Sequence, residues 1–158
     1  MQWRSFMSVP ELNQKHVARD DARGTIGQMM TFAPYPDLDR TVRCLDYRRL
    51  GKQRVEAYQI WRTLKGLSNG WRNHPAVKMW RGHECFLAVY CNACIDEWIA
   101  RGYKNTMQHL PHCGRPVPPK WWGREDVHLS HQASLNRKSS EYSFDVSQEK
   151  YPGYVWPA

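Results

Sequence analysis

The 158-residue sequence has no apolar run near the roughly 18 residues that a membrane-spanning helix needs, so a transmembrane reading is excluded. No basic amphipathic tail is present either, and no membrane partner is expected. The opening stretch MQWRSFMSVPELNQKHVARDD lacks the apolar centre of a secretory signal, which makes the cytoplasm the expected location. Cysteine is sparse and odd in number: Cys44, Cys85, Cys91, Cys94 and Cys113 do not form the even framework of a small secreted scaffold, and reduced thiols are expected. Runs of alternating apolar and polar residues are missing throughout, which removes sheet-based architectures and leaves an all-α fold. Acidic residues are also short, 15 against 23 basic ones, and the resulting charge of +8 points to a polyanionic partner, double-stranded DNA before any acidic membrane.

What is present is enough for one compact domain, expected to be a monomer, of about three main helices with long irregular connections. Residues 1–29 lack sustained periodicity and read as a flexible appendage, in which PELNQKHVARDDAR is a candidate short helix before GTIGQ. They carry four of the basic and three of the acidic residues, so the basic character belongs to the helical domain at 30–158. After the turn APYPD, Asp37 is an N-cap candidate, and Leu38, Val42 and Leu45 follow at helical spacing. The same stripe then turns ionic at Arg49, Lys52 and Glu56, either lining a cleft with Gly51 as a kink or rotating into solvent. Leu50, Ala57, Ile60 and Leu64 keep the neighbouring face apolar.

A second helix is expected from about Ala76 to Arg101, with Trp80, Leu87, Cys94 and Trp98 on a shared face and Gly102 as its stop. The Pro-rich LPHCGRPVPPKWWG is a surface connection. A third helix is expected over SHQASLNRKSSEYS, before the aromatic tail YPGYVWPA.

Three constellations bear on chemistry. His83, Cys85, Cys91, Cys94, His109, His112 and Cys113 crowd one span and suggest a small zinc module, but Cys91 and Cys94 lie inside the strongest helical pattern, where thiols act as small apolar side chains; neither a metal nor a cofactor is assigned. YRRLGKQR supplies Arg48, Arg49, Lys52 and Arg54, and LNRKSSEY supplies Arg137 and Lys138, a pattern suited to phosphate oxygens. Eight tryptophans and eight tyrosines are many for this length. Trp80 and Trp98 read as core. Trp71, beside Arg72 in WRNHP, and Trp121, Trp122 and Trp156 are open between the core and stacking on an unstacked base.

The segments TFAPYPDL, LDYRRLGKQRVEAYQI, WRNHPAVKMWRGHE, IDEWIARGY and LSHQASLNRK span nearly all of residues 30–158 and resemble the pyrimidine dimer DNA glycosylase family, the endonuclease V type first known from phage. The phage-type Tyr-Arg-Glu-Leu, RGF-like and His-Glu-Ala-Ser segments read here as YRRL, RGY and HQAS, the last beginning at His131. The resemblance implies a compact all-α fold, an extruded nucleotide, and a DNA glycosylase with abasic-site lyase activity. In that chemistry a terminal amine attacks the sugar carbon and a carboxylate assists. It assigns the amine to Thr31, in a chain starting after Met30, and matches Arg48 to the arginine beside the carboxylate. The carboxylate position itself reads Arg49. Glu56, two helical turns on, is either its replacement or half of an ion pair with Lys52. The expected catalytic set is therefore Thr31, Arg48 and Glu56, and the expected DNA contacts are Arg48, Arg49, Lys52, Arg54, Trp71, Arg72, His131, Arg137 and Lys138. A DNA-binding protein of the same fold without this chemistry is the alternative.

Overall fold

The computed structural model describes residues 29–157; the proposed appendage and its short helix lie outside the described residues, apart from Met29. Met29, counted with the appendage from sequence, is buried in the core. Among the described residues the fold is all-α, with no strand. None of its helices is long and apolar enough to cross a membrane.

The first expected helix is two. α1 spans Leu38–Cys44, with Asp37 accepting from the Arg40 amide at 3.0 Å as its N-cap. At Leu45 the backbone turns extended, and α2 starts afresh over Tyr47–Leu64. The break has a tertiary cause: Asp46 donates its amide to the Tyr142 hydroxyl and accepts that hydroxyl's proton on its carboxylate, a contact across 96 residues. Arg101 then covers the exposed end of α1, giving Nη2 to the Val42 and Arg43 carbonyls.

The second expected helix also divides. α3 is the single turn Pro75–Lys78, capped by His74 Nδ1, and α4 spans Glu84–Ala100 beyond Gly82, whose φ of +84° only glycine adopts at little cost. α5 runs over Glu125–Lys138, earlier than the sequence pattern suggested. Its HQAS segment is therefore mid-helix.

α2 and α4 form the most extensive helix contact. Gly51 permits it: a Cβ there would lie 2.8 Å from the Trp98 ring, so this glycine serves close approach inside a continuous helix and makes no kink. Cys91 and Cys94 are fully buried on α4, and burial pushes the Cys91 thiol up to about 12. They act as small apolar side chains. Cys85 and Cys113, by contrast, form a disulfide that ties the start of α4 to the Pro-rich connection. The expectation of five reduced thiols is corrected to Cys44, Cys91 and Cys94; nothing in the spacing of 28 residues announced the pair, because folding alone brings the two together.

All four tryptophans left open pack against the core. Trp121 Nε1 donates to the Met79 carbonyl and Trp122 Nε1 to the Pro36 carbonyl, so each indole N–H satisfies a loop carbonyl.

A candidate active-site cleft

Residues 30–34 form an extended segment without strand partners, and its backbone groups are met by side chains from the helices around it. The Met30 amide donates to Glu56 Oε2 at 3.0 Å, and the Phe32 amide to Gln53 Oε1 at 2.8 Å. The Phe32 carbonyl accepts from the Tyr90 hydroxyl at 2.6 Å. His131 Nδ1 accepts from the Ala33 amide at 2.9 Å, His128 Nδ1 faces the Ala33 carbonyl at 2.6 Å, and Gln132 donates to the Pro34 carbonyl at 2.8 Å. Thr31 is fully buried, and its hydroxyl accepts from Trp80 Nε1 at 2.8 Å. A buried backbone without partners would be costly, and here α2, α4 and α5 supply the partners that a sheet would otherwise give. The position of this segment is therefore fixed to within hydrogen-bond tolerances.

Its first nitrogen, on Met30, meets Glu56, which lines a cleft of about 450 Å3 between α2 and the end of α5. Arg48, Arg49, Lys52 and Lys138 line the cleft together with Asp46, Glu56 and Glu141. Arg49 bridges the two walls, pairing with Asp46 at 3.2 Å and reaching the Lys138 carbonyl at 3.5 Å. Arg49, Lys52 and Glu56 share one face of α2, and that face lines the cleft while the Leu50 side is buried.

Glu56 lines the cleft and forms the expected ion pair with Lys52. It is 1% exposed, it pairs with Lys52 Nζ at 3.5 Å, and it accepts from the Met30 amide. Its Oε1 has no hydrogen bond. Burial pushes its carboxyl up to about 7, against the opposing pull of Lys52 and the Met30 amide. The group thus holds or releases a proton near neutrality.

Other expected DNA contacts lie elsewhere. Arg54 turns to the α4 side, stacked 4.2 Å over Trp98 and bonded to Asn105 at 2.6 Å. Trp71 is partly buried beside His74, and the exposed Arg72 bonds Asn69 at 3.1 Å; neither lines the cleft. Arg137 reaches back to the Tyr151 carbonyl at 2.8 Å. His131 is fully buried, and burial pushes it down to about 3, so it is a neutral anchor for Ala33 with no open surface to offer. Sequence reasoning did not find the anchoring residues Gln53, Tyr90 and His128, because buried polar residues on an apolar face signal a partner without naming it. Among the described residues no three His, Cys, Asp or Glu side chains converge to hold a metal, and the crowded His and Cys span does not form a zinc module there.

The family model for pyrimidine dimer DNA glycosylases matches residues 29–111, just over half of the chain, and covers the extended segment, α2 and α4. The chain belongs to that family. No curated protein and no solved structure matches it. Membership of a DNA glycosylase family carries a DNA-repair role and makes DNA the substrate, and the match starts at Met29, one residue before the amide that meets Glu56.

Proposed function

We propose that this family member is a DNA glycosylase with associated abasic-site lyase activity on damaged duplex DNA, working in the cytoplasm as a monomer. The observation that carries the proposal is the buried Glu56 carboxylate, which lines a cation-rich cleft and lies 3.0 Å from the Met30 nitrogen. The cleft volume falls within the range of small-ligand pockets, roughly 300–1,000 Å3, and suits one extruded nucleotide.

In a chain beginning at Met30 that nitrogen is a terminal amine, which titrates near pH 8 and keeps a useful neutral fraction. In one beginning at Thr31 the amine sits one residue further along, beside the hydroxyl that Trp80 holds. Attack at C1′ forms the nitrogen–carbon bond as the glycosidic bond breaks, and the base leaves with a proton. Glu56, poised near neutrality, stabilises the positive charge that develops. After ring opening, Glu56 accepts the C2′ proton, the bond from C3′ to the phosphate oxygen breaks, and water hydrolyses the imine. Arg48, Arg49 and Lys52 hold the flanking phosphates.

The test is borohydride trapping on duplex DNA with an abasic site, using chains that start at Met30 and at Thr31. The Met30 chain is expected to give an adduct mapped to its terminal residue, and Glu56→Gln in it is expected to lower turnover by about 100-fold or more. Absence of adduct from both short chains would refute the amine chemistry and leave a DNA-binding protein of this fold.

A further inference from the structure

In the 158-residue chain the Met30 nitrogen is a peptide nitrogen and cannot attack a sugar, yet the cleft keeps its buried carboxylate and its wall of cations. Two primary amines line that cleft, Lys52 on α2 and Lys138 at the end of α5. They differ in their partners. Lys52 Nζ lies 3.5 Å from Glu56 Oε1, so this amine is held in an ion pair on its own helix. Lys138 has no ion pair among the described residues, and Asp46 across the cleft is already held by Arg49 and Tyr142. Its backbone is fixed, since Arg49 Nη2 reaches the Lys138 carbonyl. Its charged neighbours are Arg49, Lys52 and Arg137, with Glu56 as the opposing charge.

We propose that Lys138 Nζ is a second imine-forming amine of this cleft, directed at the aldehyde of an abasic deoxyribose in DNA and working in the chain whose residue 30 nitrogen is blocked. The proposal rests on the glycosylase-lyase reading of the same cleft. Lys138 is exposed at the cleft wall, and desolvation of its ammonium, then the positive charges of Arg49 and Lys52, hold it below the usual lysine value, which favours the amine able to attack. The Nζ lone pair adds to C1′, and the carbonyl oxygen leaves as water once it has taken one proton from the attacking nitrogen and one from protonated Glu56. Glu56, now a carboxylate, accepts the C2′ proton. The C–H electrons become the new double bond as the C3′–oxygen bond breaks and the phosphate departs. Water then hydrolyses the imine, returning Lys138 and releasing the unsaturated aldehyde.

The experiment uses the full 158-residue chain with an abasic-site duplex and borohydride, whose hydride reduces the imine to a stable secondary amine, followed by peptide mapping of the adduct. The expected adduct sits on Lys138. Lys138→Arg keeps the charge without an attacking amine, so it is expected to lower the adduct yield by about tenfold or more when measured with the duplex fully bound. An adduct on another residue, or an undiminished yield in Lys138→Arg, overturns the assignment. If the full chain gives no adduct while the chain starting at Met30 is trapped at its terminus, Lys138 is wrong and the proposed function stands. If neither chain is trapped, both fall.

Discussion

Replacing Glu56 by glutamine should make the protein more stable at neutral and alkaline pH, by an amount the structure sets. The carboxyl is held at about 7 in the fold, against its ordinary 4.5. Between those two values the folded chain keeps a proton that the unfolded chain has released. The group therefore contributes full stability below pH 4.5, and this is lost as pH rises through about 7. At about 1.4 kcal/mol per pH unit, the loss at pH 8 comes to about 3 kcal/mol. The side chain is 1% exposed, so solvent screening takes little from that figure. Glutamine has nearly the same shape and never ionises, and its oxygen still accepts from the Met30 amide, so the variant should escape the loss. Urea unfolding of both proteins from about pH 5 to about pH 8 measures this, with the stability difference growing in the variant's favour up to about pH 7 and levelling off above it. A difference that stays flat across that range would show that Glu56 does not titrate as a buried acid, and would remove it as a proton-transferring group. A gain in stability together with lost turnover is the pattern expected when a charge is buried for function.

Gly51→Ala should lower stability by about 1–3 kcal/mol in urea unfolding, because its methyl would enter the Trp98 ring space at 2.8 Å; an unchanged midpoint would mean that α2 and α4 have slack between them. Arg48→Ala should weaken duplex DNA binding and reduce its log-log salt slope by about one, whereas Arg54→Ala, on the far side of α2, should leave the slope alone; equal effects from the two would place the DNA elsewhere. His131, pushed down to about 3 from an ordinary 6.5, has the opposite sign to Glu56: the unfolded chain binds the extra proton, so stability present above pH 6.5 is lost as pH falls toward 3. His131→Gln should flatten the acid side of the stability profile, and an unaltered acid limb would show that His131 is not the buried neutral ring described.

Some of this protein was determined by sequence alone, because it depends on geometry within a few residues. Intrahelical hydrogen bonds impose a 3.6-residue period, so Arg49, Lys52 and Glu56 had to share a face and Leu50, Ala57 and Ile60 had to occupy another, whatever lay around them. The all-α class, the apolar character of α4 and the Asp37 cap follow from the same local rules. The other features were decided by contacts between distant residues. Tyr142, 96 residues from Asp46, sets where the first helix breaks. The anchoring of Phe32 and Ala33 by Gln53, Tyr90 and His131 sets the register of the extended segment, and with it which nitrogen meets Glu56. The family resemblance drew attention to Thr31, and the folded chain sets the neighbouring Met30 amide against the carboxylate. Burial likewise turns Glu56 from a surface ion-pair candidate into an acid near neutrality and makes His131 an internal anchor, because desolvation depends on everything packed around a group and on nothing in its local sequence.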